Sequence, residues 1–185
     1  MSLKHAILGF LHYGPSTGYE LKKIFDTSVQ NFWPADQSQI YRTLAWLEKR
    51  EWVSMEVIHQ KDHPDRKVYS ITVTGRDELL RWLTTPLKRA ETRSASLIQV
   101  FFAGQLNDEQ ILEMFEREAI YLRSILEPIE TMPGFVSPVV SSVGSPRDQY
   151  FWMLTMENGV KIAYSQLEWI ESVIERIKNK VIPEK

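Results

Sequence analysis

The stretch from Ser38 to Val57, SQIYRTLAWLEKREWVSMEV, contains two hydrophobic periods in succession. Its first part spaces Ile40, Leu44 and Leu47 by four and three residues, which predicts a helix with one apolar stripe. After that helix the apolar residues alternate with polar ones, which predicts a strand. The helix face away from the stripe carries Gln39, Arg42, Thr43, Trp46 and Arg50. Such a face is either solvated or contacts a polar partner.

Two further helices are predicted before this stretch. Residues 2–12 place apolar side chains at helical spacing and are followed by a Gly-Pro turn. Either Ser16 or Thr17 can cap a second helix, GYELKKIFDTS. Pro34 then breaks the chain before the helix that is predicted over residues 37–51.

A β-hairpin is predicted after the third helix. Two alternating runs, residues 53–58 and 69–74, flank a polar loop that contains a proline. Thr74 can cap the next helix, which ends at Pro86. Three helices, a two-stranded hairpin and a further helix follow one another in the order of a winged helix-turn-helix domain.

The second half of the chain is predicted to be helical. Asn107 and Gln110 form a capping-box pattern, residues 131–146 are a loop rich in proline, glycine and serine, and Pro146 opens a last helix. We expect this helix to extend to Val181, a length of about 54 Å at about 1.5 Å per residue. Its apolar residues alternate at intervals of three and four, as in a heptad seam: Val160, Ala163, Leu167, Ile170, Ile174, Ile177 and Val181. A helix of this length exceeds the width of a small domain, so we expect part of the seam to contact a second copy of the chain.

The composition is that of a globular protein with room for one or two domains. The 185 residues are 43% hydrophobic and 25% charged, with a net charge of −2. A proline and a charged run, PLKRAETR at 86–93, are the best candidate for a domain boundary. We therefore predict a mainly α protein with a small β-hairpin. A winged helix-turn-helix DNA-binding domain spans 1–86, and a helical dimerisation and possible effector domain spans 87–185.

Several kinds of chemistry have no counterpart in the sequence. The chain contains no cysteine, which excludes disulfides, thiolate metal sites and cysteine nucleophiles. It contains no Gly-rich phosphate loop, nucleophile elbow or metalloprotease motif, so we predict neither an enzyme nor a cofactor. His59 and His63 are the nearest approach to a metal site, but Pro64 and the loop setting favour a solvated hairpin tip. No apolar stretch reaches the roughly 18 residues of a membrane span, so we expect a cytoplasmic protein without a membrane partner.

The predicted winged domain indicates which side chains would contact DNA. In this architecture the N-terminal residues of the third helix reach base edges in the major groove. Those residues are Gln37, Ser38, Gln39, Arg42 and Thr43. Glutamine can pair with adenine and arginine with guanine, while Lys61, Arg66 and Lys67 around the hairpin loop suit phosphate contacts. The alternative is a winged-helix module that binds protein partners and does not bind DNA.

Three segments of the first 86 residues resemble the PadR family of bacterial transcriptional regulators. They are AILGFLHYGPSTGYELKKIF, SQIYRTLAWLEKREWV and RKVYSITVTGRDELLRWL. The matching positions are Gly18, Tyr19, Glu20, Ile40, Tyr41, Leu44, Leu47, Glu48, Tyr69, Thr72 and Gly75. The second half resembles, in length and pattern, the subfamily with a long helical C-terminal domain.

The resemblance implies a homodimer held by its C-terminal helices, which binds an inverted-repeat operator, acts as a repressor and is released by a small ligand. It implies DNA contacts by Tyr19, Ser38, Tyr41 and Arg42, assisted by the three basic residues of the hairpin. Two positions depart from the family pattern. Thr17 replaces a histidine, and Glu51 stands where the family usually has a glycine after the recognition helix.

Aromatic residues suggest where such a ligand would bind. The chain has six tryptophans, and Tyr150, Phe151 and Trp152 are consecutive. One hypothesis is that these three residues line a pocket for an aromatic ligand. The alternative is that the tryptophans belong to the core and to the dimer interface.

Overall fold

The computed structural model describes residues 2–30, 32–61, 65–87, 93–131, 144–181 and 183. The N-terminal elements are α1 (Leu3–Tyr13), β1 (Ser16–Thr17), α2 (Gly18–Ser28), α3 (Gln37–Lys49), β2 (Val53–Ile58), β3 (Arg66–Ile71) and α4 (Val73–Leu83). The C-terminal elements are α5 (Ala95–Phe102), a 3-10 turn (Ala103–Gln105), α6 (Asp108–Thr131) and α7 (Pro146–Lys178). The predicted winged helix followed by a helical region is confirmed. Contacts divide the chain into two compact units, one with α1–α4 and the sheet, the other with α5, α6 and most of α7.

The hairpin is part of a three-stranded antiparallel sheet in the order β1-β3-β2. Strands β2 and β3 pair over their full length, from Val53 opposite Ile71 to Ile58 opposite Arg66. The two residues of β1 pair with Tyr69 and Val68. The sequence patterns did not predict β1, because a strand of two residues has no periodicity.

The core of the N-terminal unit is formed by the apolar stripes of its helices, and the sheet packs against them. Its fully buried side chains are Phe25, Ile7, Leu8, Leu11, Leu21, Ile40, Leu44 and Leu47. The stripe that predicted α3 is thus buried along its whole length, so the orientation of α3 is fixed. Its opposite face is directed away from this core.

Glu51, which stands where a glycine is usual after the recognition helix, adopts a left-handed backbone conformation. Its φ is 57°. The N–H of Glu51 donates to the carbonyl of Glu48 at 2.9 Å, and the N–H of Trp52 donates to that of Leu47 at 3.1 Å. These two bonds define a Schellman motif, which ends α3 at Lys49. Helix α3 therefore ends two residues before the predicted position.

Two threonine hydroxyls connect the same turn to the start of α4 through hydrogen bonds. Thr72 and Thr74 each donate to the carbonyl of Glu51, at 2.7 and 2.9 Å. Thr72, and not Thr74 as predicted, caps α4, because its hydroxyl accepts from the N–H of Gly75 at 3.1 Å. A Cβ on Gly75 would lie 2.1 Å from the carbonyl oxygen of Trp52, so only glycine fits here.

The C-terminal unit is built on α6 and α7. Their shared core consists of Phe115, Ala119, Leu122, Leu126, Ala163, Ile170 and Ile177. Ion pairs join the two helices at the surface, between Arg123 and Glu171 at 2.5 Å and between Lys178 and Glu116 at 2.8 Å. The capping box predicted for Asn107 and Gln110 is present.

The predicted heptad seam of α7 packs within its own chain. Ala163, Ile170 and Ile177 are buried in the core shared with α6, and Val160, Leu167 and Ile174 pack against it half-buried. Val181 lies beyond the end of α7 and is 65% exposed, because a second left-handed residue, Lys180, ends the helix at Lys178. The buried part of the seam is thus covered by α6 of the same chain, and contact of the half-buried part with a second copy stays a prediction. The pattern required burial, and α6 provides it.

Candidate nucleic-acid interface

Helix α3 presents a polar face of about three turns, opposite its buried stripe. Its exposed members include Gln37, Ser38, Gln39, Arg42 and Trp46. Thr43 is half-buried, and its hydroxyl donates to the carbonyl of Gln39 at 2.7 Å. Its hydroxyl proton is thus used within the helix, and the contact of Thr43 with DNA stays a prediction.

A hydrogen-bonded network organises the N-terminal end of α3. The Asp36 carboxylate accepts from the N–H of Gln39 and from the hydroxyl of Ser38, both at 2.7 Å. The side-chain oxygen of Gln39 accepts in return from the N–H of Asp36 at 2.9 Å. The hydrogen bond from Ser38, followed by that from the N–H of Gln39, lowers the pKa of Asp36. Asp36 is therefore ionised at neutral pH, as an N-cap should be.

Arg42 is the exposed cation of the N-terminal half of α3. Its Nε donates weakly to the carbonyl of Ser38 at 3.3 Å, one turn earlier along the helix. This bond directs the side chain back along the helix towards the N-terminal network. It leaves other guanidinium N–H groups available for a base edge or a phosphate.

The two tyrosines predicted to contact DNA, one on α2 and one on α3, lie close to the first residue of α2. Tyr19 is 67% exposed and Tyr41 is 41% exposed. The ring of Tyr41 packs on Gly18, where an added Cβ would lie 2.5 Å from Cε1 of the ring. Gly18 therefore allows α2 and α3 to approach closely and holds the ring of Tyr41 at the boundary between core and surface.

The three basic residues of the wing differ in their surroundings. Lys61 and Lys67 are exposed. Arg66 forms an ion pair with Glu20 of α2, with Nη2 2.8 Å from Oε1. The backbone N–H of Thr17 donates to the other oxygen of Glu20 at 2.7 Å and is the largest cause of the lowered pKa of that carboxyl. Arg66 therefore already has an anionic partner.

Trp46 lies on the polar face of α3 towards its C-terminal end, and two cations lie near its ring. The guanidinium of Arg50 lies 4.6 Å from the ring centroid, and Nζ of Lys4 lies 5.2 Å from it. Lys4 also approaches Trp52, at 4.8 Å from the ring centroid. The four-residue spacing of Trp46 and Arg50 is visible in the sequence. The contribution of Lys4 from α1 is not, because it depends on helix packing.

The predicted ligand residues lie near the start of α7. Tyr150 and Phe151 are exposed and Trp152 is half-buried, and the rings of the first two are 5.7 Å apart. An open depression of about 390 Å³ lies elsewhere on the same helix and is lined by Lys161, Ile162, Ser165, Gln166 and Trp169. Tyr150, Phe151 and Trp152 do not line this depression.

Other site types find little support in the part of the chain that the structure describes. His59 pairs with Asp65 at 2.9 Å, whereas His63 lies outside the described residues. Among the described residues, no three histidine, aspartate or glutamate side chains are grouped to hold a metal ion. Within those same ranges, no helix combines the length and the apolar composition needed to cross a membrane.

The sheet, the buried stripe of α3 and its exposed polar face together define a winged helix-turn-helix DNA-binding protein. The family model described as "Transcriptional regulator PadR-like family" matches residues 7–81, and the model "Virulence activator alpha C-term" matches residues 92–178. The chain therefore belongs to the PadR-like family of transcriptional regulators, whose members are not enzymes.

Curated relatives are similar over nearly their full length. A Mycobacterium tuberculosis protein named "Probable transcriptional regulator Rv1176c" is 32% identical, with 97% of this chain and 100% of the relative covered. The "Negative transcriptional regulator PadR" of Bacillus subtilis is 26% identical, with 95% and 97% covered.

Solved structures share the fold. Bacillus subtilis PadR in complex with operator DNA has a TM-score of 0.81 at 24% identity, with 96% of this chain and 99% of that chain covered. Bacillus subtilis PadR in complex with p-coumaric acid has a TM-score of 0.75 at 23% identity, with the same coverage.

Proposed function

We propose that this protein is a repressor that binds an inverted-repeat operator as a homodimer and is released by a small aromatic ligand. The observation that carries the DNA-binding role is the polar face of α3. The apolar stripe Ile40, Leu44 and Leu47 is fully buried, so the opposite face is presented outwards by a rigid helix. A winged-helix domain with this geometry inserts that face into the major groove.

The exposed residues divide into two roles. Gln37, Ser38, Gln39 and Arg42 lie on the first half of α3, and we assign them to base edges. The residues assigned to phosphates, where hydroxyl groups and cations fix the register on DNA, are Tyr19, Tyr41, Lys61, Arg66 and Lys67. Arg66 must exchange Glu20 for a phosphate, so its net contribution should be smaller than that of Lys67.

A second copy of the chain would cover the apolar helix α5. Although α5 is the sequence ASLIQVFF, it has no buried residue within one chain. Phe101 is 81% exposed, Ile98 61% and Leu97 57%. Soluble proteins rarely leave so apolar a helix exposed, which supports an interface between identical subunits. A two-fold dimer would place two copies of α3 on two half-sites of an inverted repeat.

The repressor role and the ligand are supported by the relatives. The Bacillus subtilis relative is named a negative regulator, and a PadR of that organism has been crystallised with p-coumaric acid. We retain Tyr150, Phe151 and Trp152 as candidate ligand contacts, because two of them are exposed and Trp152 is half-buried. Titration of the DNA complex with p-coumarate should release the DNA, and replacing Trp152 by leucine should weaken that release. Release by p-coumarate that is unchanged in this variant would remove Trp152 from the ligand site.

DNA binding is tested by fluorescence anisotropy with labelled duplexes from upstream of the protein's own gene and scrambled controls. We expect preferential binding that weakens steeply as salt is added, because phosphate contacts release counterions. Arg42→Ala should weaken operator binding by about 1–3 kcal/mol. Arg117→Ala, which removes an exposed arginine from α6, is the charge-matched control and should have little effect.

Two outcomes would redirect the assignment. Equal effects of Arg42→Ala and Arg117→Ala would remove Arg42 from the interface. If genomic selection also yields no bound sequence, the protein is a winged-helix module for protein partners, as the alternative states.

Dimerisation is tested by sedimentation of the full chain with a charge on α5. Phe101→Asp should shift the protein towards monomer and weaken operator binding. The matched control is Phe32→Asp, since Phe32 is also exposed but belongs to the N-terminal unit. A Phe101→Asp protein that sediments as a dimer at the same concentrations would exclude α5 from the interface.

A further inference from the structure

A group of exposed side chains on α3 lies opposite the buried stripe of the same helix. The stripe residues Ile40, Leu44 and Leu47 are fully buried. Two positions along an α-helix correspond to a rotation of about 200°, so a residue two positions from a stripe residue faces away from the core. The residues of α3 that meet this condition are all exposed and form its central face: Ser38, Arg42, Ala45, Trp46 and Lys49.

Ala45 is the shortest side chain of the central face. It follows Arg42 by three positions and precedes Lys49 by four, so it lies between them on the helix surface. The ring of Trp46 is directed to one side, because it lies edge-on to Trp52 with ring centroids 5.4 Å apart and has Nζ of Lys4 at 5.2 Å from its centroid. The side chain of Ala45 ends at Cβ, so the helix backbone can approach a binding partner more closely here than elsewhere on this face.

The chemistry of Ala45 also differs from that of its neighbours. It is the only residue of the central face without a polar side-chain atom, so its side chain makes no hydrogen bond. The major groove presents one apolar group, the C5-methyl of thymine, and alanine is among the side chains that contact it. Recognition helices read bases with residues three and four positions apart, which is also the spacing of Ala45 from Arg42 and Lys49.

We propose that Ala45 is a specificity-determining residue, whose methyl group packs against the C5-methyl of a thymine and so favours thymine at one position of each half-site. The inference rests on the proposed function, because it assumes that α3 enters the major groove. Contact between the two methyl groups removes apolar surface from water, and this gain needs no hydrogen bond. Lys49 carries a compact charge on a flexible stem, so it is assigned to a phosphate and contributes no base preference.

The experiment compares thymine with deoxyuridine in the operator that the full chain selects from a randomised duplex library. Deoxyuridine pairs as thymine does and lacks only the C5-methyl. Each thymine is replaced in turn together with its symmetry mate, and the affinity is measured by fluorescence anisotropy. At one position we expect binding to weaken by about fourfold for each half-site, the loss expected for one buried methyl group. A 5-methylcytosine–guanine pair at that position should bind more tightly than a cytosine–guanine pair.

Two variants of the protein test whether Ala45 is the partner of that methyl group. Ala45→Gly removes the methyl group on the protein side, so thymine and deoxyuridine should then bind equally at this position and as before at the other thymines. Glycine also weakens the helix, so the ratio of the two affinities is compared within each protein. Lys49→Ala is the control, because it should weaken binding to every sequence, reduce the salt dependence and leave the ratio unchanged.

The outcomes separate this inference from the function on which it rests. Selection of no sequence by the wild type would overturn the proposed DNA function. Selection of a clear operator in which no thymine shows a methyl effect, or in which every such effect persists unchanged in Ala45→Gly, would overturn the inference alone.

A further variant decides the question if Ala45→Gly is poorly folded by circular dichroism. Ala45→Gln introduces a strong helix former whose amide pairs with adenine. The operator selected by this variant should carry adenine in place of the thymine that the wild type selects at the contacted position. An operator identical to that of the wild type would overturn the inference.

Discussion

Glu78 joins α1 to α4, and replacing it by glutamine should remove part of the acid sensitivity of the N-terminal unit. The carboxylate is 8% exposed, and its Oε1 lies 3.0 Å from Nε2 of His5, which is also buried. Its Oε2 accepts from Nε and Nη2 of Arg81 at 2.8 and 2.6 Å. Nζ of Lys4 lies 3.5 Å from Oε1. A buried anion is thus surrounded by donors and cations.

The magnitude follows from the pKa of Glu78. Burial raises this pKa, but hydrogen bonds from His5 and Arg81 and the charges of Arg81 and Lys4 outweigh burial and lower it from 4.5 to about 2. At about 1.36 kcal/mol per pH unit, the ionised form stabilises the fold by at most about 3 kcal/mol. Arg81 is 65% exposed, and solvent screens its charge, so we expect Glu78→Gln to cost about 2 kcal/mol at pH 7. Glutamine is a suitable replacement because it has the shape of the protonated acid.

The sign of the pH dependence is fixed by the direction of the shift. The folded pKa of Glu78 lies below the unfolded value, so its stabilisation is complete above about pH 4.5 and is lost as the pH falls to about 2. Burial is the largest cause of the lowered pKa of His5, so acid also destabilises the fold through this residue, starting below pH 6.5. His5 is present in both proteins. Glu78 raises the pKa of His5 through its hydrogen bond and its charge, so Glu78→Gln lowers that pKa further and adds a His5 contribution to the difference below pH 6.5. Below pH 4.5 the loss of the Glu78 charge makes the difference shrink.

The assay is urea unfolding followed by tryptophan fluorescence, from pH 7 to pH 3 at one protein concentration. Trp82 stacks on His5 with ring centroids 4.4 Å apart, so the signal includes the region that changes. The control is Glu56→Gln, an exposed carboxylate on β2. The difference in free energy between wild type and Glu78→Gln should shrink as the pH falls below 4.5. A difference that is equal at pH 7 and pH 3 would refute the reasoning.

Two further predictions concern the DNA interface and the turn after α3. Glu20→Gln retains the capping box with Thr17 but removes the charge that pairs with Arg66. It should tighten DNA binding up to about fivefold, as expected for an exposed ion pair. In an Arg66→Ala background the gain should be smaller, and an equal gain in both backgrounds would show that the pair does not restrain Arg66. Glu51→Gly should stabilise the protein by about 1 kcal/mol, because the left-handed φ of 57° favours glycine; a lower urea midpoint than that of the wild type would contradict this account.

Part of the candidate interface was readable from the sequence, and part required the fold. The stripe of Ile40, Leu44 and Leu47 fixed which face of α3 is exposed. The pairing of Arg66 with Glu20 joins residues 46 positions apart, and no local pattern encodes such a distance. The orientation of the Gln39 amide lies between these cases. Its capping-box spacing is visible in the sequence, whereas the hydrogen bond from the N–H of Asp36 to its oxygen is seen only in the structure.

The sequence by itself determined the order of the helices and the hairpin, and with it the winged-helix class. Helix caps, turns and hydrophobic periods act over a few residues, so local physics is sufficient to define them. Only the tertiary structure decided which partner covers each apolar face. The heptad pattern of α7 required that Ala163, Ile170 and Ile177 be buried, and α6 of the same chain buries them while α5 stays exposed. Hydrophobic burial is non-directional, so a pattern specifies that a face must leave water but not what it meets.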